Sequence, residues 1–171
     1  MTNTEKIKEL AAHFRALGAA DPEGWARSQV EEGIPQYARF VFLWQGWKNV
    51  IAEGDTAWID DSIAESERTP RAPGAGIGPV LQRIMLSGAS REDIAEIVRV
   101  MQWKVLSRIA YQIDEPGNEA FPIHVPPVNW KLFEVDDEGN PLNPIPGLHE
   151  SVLDTDPSGR EMRPRGVTRR G

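Results

Sequence analysis

The chain has 171 residues, a net charge of −7 and no cysteine. It is long enough to bury a core without covalent staples, and the missing cysteines exclude disulfides, a thiolate nucleophile and thiolate-ligated zinc or iron–sulfur chemistry. The first residues carry no basic segment followed by an apolar run, and the uncharged stretch from Phe40 to Trp47 is too short to span a bilayer, so the chain reads as soluble and cytoplasmic, with no membrane partner.

Helix punctuation is clear from the start. Thr4 can cap a helix carrying Ile7, Leu10, Ala11, Phe14 and Leu17 on one stripe, and Gly18 suits its end. Asp21 followed by Pro22 is a second start signal, with Gly33 closing the segment around Trp25 and Val30. Pro35 then opens a helix predicted to run to about Glu53. Phe40, Leu43, Trp44, Trp47, Val50 and Ile51 recur on one of its faces, while Tyr37, Val41 and Phe42 occupy others. A helix apolar around most of its circumference must be covered on several sides, so this one is expected at the centre of the core.

Gly54 is read as the stop of that helix and Asp55 as the cap of a short one bearing Trp58, Ile59 and Ile63. Residues 66–79 are crowded with glycine and proline and read as a loop. A helix resumes near Pro79 with Val80, Leu81, Ile84 and Met85 on its apolar side, and Gly88 stops it. Ser90 and Asp93 open the last helix in the manner of a capping box. Its predicted core stripe is Ile94, Ile97, Val98, Met101, Val105, Ile109 and Ile113, widened by Trp103, Leu106 and Ala110, and Pro116–Gly117 ends it.

Beyond residue 120 the pattern changes. Pro122, Pro126 and Pro127 mark an extended connector that leads to Trp130. Asp136, Gly139, Leu142 and Pro144 are then echoed by Asp156, Gly159, Met162 and Pro164. An aspartate three positions before a glycine suits a type I turn followed by a left-handed residue, the loop of a short hairpin. Two hairpins are expected, Lys131 to Val135 with Pro141 to Ile145, and Ser151 to Thr155 with Arg160 to Arg163, packed on the helices through Trp130, Phe133, Leu142 and Leu148. Trp44, Trp47 and Trp103 are expected in the core, and Trp25, Trp58 and Trp130 at half-exposed positions.

Three segments carry candidate chemistry. In the first, His149 and Ser151 would share a strand face beside Glu150 and Asp154, but a nucleophilic triad would need its orienting carboxylate from elsewhere, because adjacent Glu150 points away. In the second, Asp154, Asp156, Ser158 and Gly159 repeat the opening of a calcium loop, yet its twelfth position is Arg165 rather than glutamate, and turn chemistry accounts for the same residues. In the third, Gly74, Gly76 and Gly78 precede a helix start with Arg68 and Arg71 nearby, without the spacing of a dinucleotide or phosphate loop. A connector between helices fits better, though a loop of this length is the best choice for a lid or a partner contact. His13 and His124 stand alone and supply no ligand set.

Charge is unevenly spread. Within the last twelve residues Arg160, Arg163, Arg165, Arg169 and Arg170 against Glu161 give +4, which leaves −11 on residues 1–159. An acidic body disfavours nucleic-acid binding, with a weak contact by the arginine-rich tail as the exception. The expected fold is mainly α: a single domain whose helical core, residues 1–115, comprises about six helices around the tryptophan-rich one, with residues 116–171 adding the connector, two hairpins and the basic tail. The expected role is a non-enzymatic module that regulates or inhibits another protein, a basic partner suiting its acidic surface. The alternative is an enzyme or small-ligand protein with a site between residues 66–79 and the His149 segment, formed by Arg68, Arg71, His149, Glu150 and Asp154. No catalytic residues, metal or cofactor are assigned.

Overall fold

A computed structural model describes residues 1–117, 125–126 and 128–164. Among these, the order is α1 (Asn3–Ala16), α2 (Pro22–Glu32), α3 (Gln36–Trp47), α4 (Ala57–Arg68), α5 (Ile77–Leu86), α6 (Arg91–Asp114), β1 (Phe133–Val135), β2 (Pro141–Pro144) and the single turn α7 (Leu148–Ser151). The protein is mainly helical, with a small antiparallel sheet towards its C-terminus. No described helix is long and apolar enough to cross a membrane. Pro122, His124, Pro127, Arg165, Arg169 and Arg170 lie outside the described residues, and with them most of the predicted connector and of the basic tail.

Two compact units divide the chain: residues 1–49 with 103–171, and residues 50–102. In the first, α1 packs on α2, α2 on α3, and α3 on α7. Its aromatic centre is Phe14, fully buried, with Trp25 stacked at 5.9 Å and Tyr37 and Phe40 edge-on at 5.5 and 5.3 Å. These are the offset and edge arrangements that aromatic quadrupoles favour. Further along α3, Leu43 and Trp47 are buried, as are Leu148 and Val152. The Trp47 indole N–H donates to the Val152 carbonyl at 3.0 Å and to Thr155 Oγ1 at 3.1 Å, which ties the segment after α7 to α3. In the second unit α4 packs on α5, and Ile59, Leu81 and Ile94 form the core.

Several expectations are corrected. The first helix is capped by Thr2, not Thr4, through a reciprocal capping box with Glu5. The tryptophan-rich helix stops at Trp47 rather than near Glu53. The reason is a tertiary competitor: the Ile51 N–H donates to Gln102 Oε1 at 2.8 Å and its carbonyl accepts from Arg99 Nη1 at 2.6 Å, so neither group continues the helical ladder. Helix α5 begins at Ile77, ahead of Pro79.

The stripe predicted for the core on α6 is largely exposed at Ile97, Met101, Val105 and Ile109, whereas Ile94, Ala95, Arg99 and Ala110 are buried. Hydrophobic period locates a face, but the neighbours decide which face is covered.

Only the first hairpin forms. Its turn is as predicted, with the Gly139 N–H donating to the Asp136 carbonyl, and Phe133 pairs with Pro144 and Val135 with Pro141. It is buried through Ile145, while Trp130, Phe133 and Leu142 are exposed. The second hairpin is replaced by α7 and following turns, and Leu148 is buried there rather than against a ribbon. Leu148, Ser151, Val152 and Thr155 are all buried at helical spacing, and the Thr155 N–H donates to the Ser151 carbonyl at 3.2 Å, a local bond that strand pairing would have to break. The turn from Asp156 to Gly159 does form.

Candidate functional site

The first unit contains two cavities that share Arg39 and Glu150 in their walls. Arg39 reaches both from the buried stripe of α3, which it shares with Gln36, Phe40, Leu43 and Trp47. Gly147 is the other half of that arrangement. It lies in the left-handed region at φ 73°, and a Cβ there would meet Arg39 Nη2 at 2.9 Å, so the bare backbone lets the guanidinium pack against it.

Arg39 is 9% exposed, and its single side-chain hydrogen bond among the described residues runs from Nη1 to Ser151 Oγ at 3.4 Å, with Nε buried and unpartnered. Burial pushes its pKa below the ordinary guanidinium value, while the negative fields of Glu150 and then Asp114 act the other way.

The larger cavity, of about 660 Å³, is a cleft bounded by the end of α1, by α2 and α3, and by the turns after α7. Trp25, Phe40 and Trp44 supply an apolar wall. Around it stand five carboxylates, Asp21, Glu150, Asp154, Asp156 and Glu161, with Arg39 as the one basic side chain among the described lining residues.

Several of these groups are fixed. Asp21 caps α2 through the Gly24 N–H, and Asp156 is buried, accepting from Ser158 N–H and Oγ and from Met162 N–H at 2.8–3.0 Å. Beside that last bond Glu161 and Met162 take left-handed conformations, at φ 51° and 54°, and Glu161, paired with Arg163 at 2.7 Å, lines the cleft. Such strain persists only where its surroundings over-determine it. Gln36 also lines the cleft; its Nε2 donates to Ser28 Oγ, and its buried Oε1 has no partner.

The smaller cavity, of about 410 Å³, lies between the end of α6, the hairpin and α7. His149 Nδ1 is 2.7 Å from Asp114 Oδ2, and the same oxygen accepts the His149 backbone N–H at 2.8 Å. An ionised carboxylate only accepts, so Nδ1 carries the proton and Nε2 is left for other partners. The Tyr111 ring lies edge-on to the imidazole at 5.4 Å. Asp114 Oδ1 is buried without a partner, and Lys131 stands on the same wall.

The structure therefore supplies the carboxylate that a histidine-based triad would take from elsewhere, but it does not bring Ser151 to His149. Two residues apart on a helical turn, their side chains point to different sides, and Ser151 Oγ accepts from Arg39 instead. Of the predicted ligand set, Glu150 lines both cavities, His149 the smaller and Asp154 the larger. Arg68 and Arg71 belong to the other unit, on the exposed end of α4 and the loop after it. Arg68 pairs with Glu65, and neither arginine lines the cavity of about 440 Å³ between α4 and that loop. Gly78 serves packing: its N–H donates to Ser66 Oγ at 3.1 Å, and a Cβ would lie 2.5 Å from that of Ser66.

Sequence reasoning missed Arg39, Asp114 and Lys131. Arg39 had a signal, a charge in the buried register of an apolar helix; Asp114 pairs with a histidine 35 positions away and had none. No family model, curated protein or solved structure matches the chain.

Proposed function

We propose that this is a non-enzymatic cytoplasmic recognition module that regulates or inhibits another protein, and that its partner inserts a basic segment into the cleft between α2, α3 and the turns after α7. The observation that supports this is the composition of that cleft, an aromatic wall and five carboxylates around one buried guanidinium, of which Glu161 is paired with Arg163 and Asp156 is buried, leaving the exposed Glu150 and Asp154 as the groups to test. Complementary charge steers such a segment in and fixes its register, while Trp25 and Trp44 offer faces to lysine or arginine stems. Lys48 Nζ already lies 3.4 Å from the Trp44 ring centroid, an arrangement an incoming cation can copy.

Gln36 adds an acceptor, its buried Oε1, that has no partner among the described residues. The negative body of the chain, −11 over residues 1–159, argues against a nucleic-acid partner and for a basic protein.

Hexalysine is the first probe, followed by tryptophan fluorescence and calorimetry at low salt, with hexaglutamate as control. The expected result is binding of hexalysine alone, weakened about threefold by each of Glu150→Gln and Asp154→Asn, the worth of a partly exposed charge. Equal affinity for the neutralised variants, or no binding of hexalysine to folded protein, would overturn the reading.

A further inference from the structure

We propose that the smaller cavity is a separate site for a small molecule bearing a carboxylate or phosphate group, held by Arg39 with Lys131 and His149. Arg39 is short of partners for a buried charge. A guanidinium has five N–H donors and is normally paired when buried, because taking its charge out of water costs several kcal/mol unless a counter-charge is in contact. Arg39, 9% exposed, has one long bond to a neutral hydroxyl among the described residues.

Glu150 and Asp114 act on the guanidinium through space without a hydrogen bond to it among the described residues, so a contacting counter-charge would enter from a neighbouring cavity. Two cavities adjoin the residue, and they differ in kind: the cleft offers carboxylates alone beside Arg39, whereas the smaller cavity adds the Lys131 ammonium and the His149 ring. The guanidinium also lies against Gly147, which lines the smaller cavity.

The acidic groups there do not cancel this. Asp114 turns Oδ2 to the His149 N–H and Nδ1, which leaves its buried Oδ1 as the one inward carboxylate oxygen without a partner among the described residues, while Glu115 and Glu150 are exposed and act through high dielectric. With Nδ1 committed to Asp114, Nε2 is the nitrogen His149 can turn to a ligand, as a donor when the ring is protonated. A volume of about 410 Å³ suits a metabolite-sized molecule whose anionic end takes the guanidinium in the bidentate manner that carboxylates and phosphates share.

The test is a titration of the full chain with sodium phosphate and, separately, sodium acetate at constant ionic strength made up with sodium chloride, read by amide chemical shifts. The expected result is saturable shifts centred on Gly147 and His149. Saturation by phosphate alone assigns a phosphoryl ligand, and saturation by both assigns the anionic group common to the two. Arg39→Gln is expected to weaken binding at least tenfold, the size of one charge-assisted hydrogen bond, and Lys131→Ala about threefold.

Lys131 is exposed, so that variant remains informative should Arg39→Gln not fold. Because Lys131 does not line the acidic cleft, its loss leaves hexalysine binding unchanged, and the two sites fail or succeed separately. Absence of saturable shifts with both anions, or shifts unaltered by Lys131→Ala, would overturn the proposal.

Discussion

Gly147 is where backbone conformation and buried charge meet. A side chain there is strained by the positive φ of 73°, and its Cβ would press on Arg39 Nη2, Cζ and Nη1 at 2.9–3.3 Å. Gly147→Ala is therefore expected to lower the unfolding free energy by about 1–3 kcal/mol, read from the denaturant midpoint at constant slope. An unchanged midpoint would mean that the guanidinium is not held against this backbone.

Asp136 shows the opposite case, a residue whose local sequence explains its role. The Asn140 side chain and backbone N–H, with Glu138 N–H, donate to its carboxylate and hold its pKa below the ordinary 3.8. A depressed carboxyl contributes stability in full above its unfolded value and loses it as pH falls through the folded one. The expected observation is a carboxyl-carbon titration midpoint below 3.8 and loss of Asn140 amide protection only at more acid pH. The sequence pointed to this turn because every partner lies within four positions. It could not point to the Asp114–His149 pair, because nothing local links two residues joined only by the fold.

At the scale of elements, the caps were legible and the covered faces were not. Asp21, Gly33, Asp55 and Ser90 lie at or beside the helix ends where the residue types suggest, since capping is settled by backbone groups two or three positions away. Coverage depends on distant neighbours, and on α6 the reading failed: Met101 is 55% exposed. On α5, by contrast, Leu81 is 4% exposed in the core with Ile59 and Ile94. Leu81→Ala is expected to cost about 2–5 kcal/mol, and Met101→Gln less than about 0.5 kcal/mol. Comparable losses from both in one set of denaturation curves would show that the α6 stripe is covered after all.

On the scale of the whole molecule, charge governs what the chain can meet. With −11 over residues 1–159, attraction of a basic segment acts at long range and through exposed groups, and is screened as the Debye length falls from about 30 Å at 0.01 M salt to about 8 Å at 0.15 M. Hexalysine affinity should therefore fall steeply across that range, mostly through slower association; affinity indifferent to salt would place the contact outside the acidic cleft. The predominance of helix, the turns at Asp136 and Asp156, and the burial of Trp47 on α3 were readable from residue order, because propensity, capping and periodicity are short-range properties of the chain; Trp44 and Trp103, expected in the core as well, are only half-buried. What only tertiary structure decided was where α3 stops, that the segment after Pro146 turns into helix instead of a second ribbon, and that Arg39, Asp114, Lys131 and His149 surround one cavity. Those outcomes rest on competition among distant partners for the same backbone bonds and buried charge, and sequence separation carries no record of which partner wins.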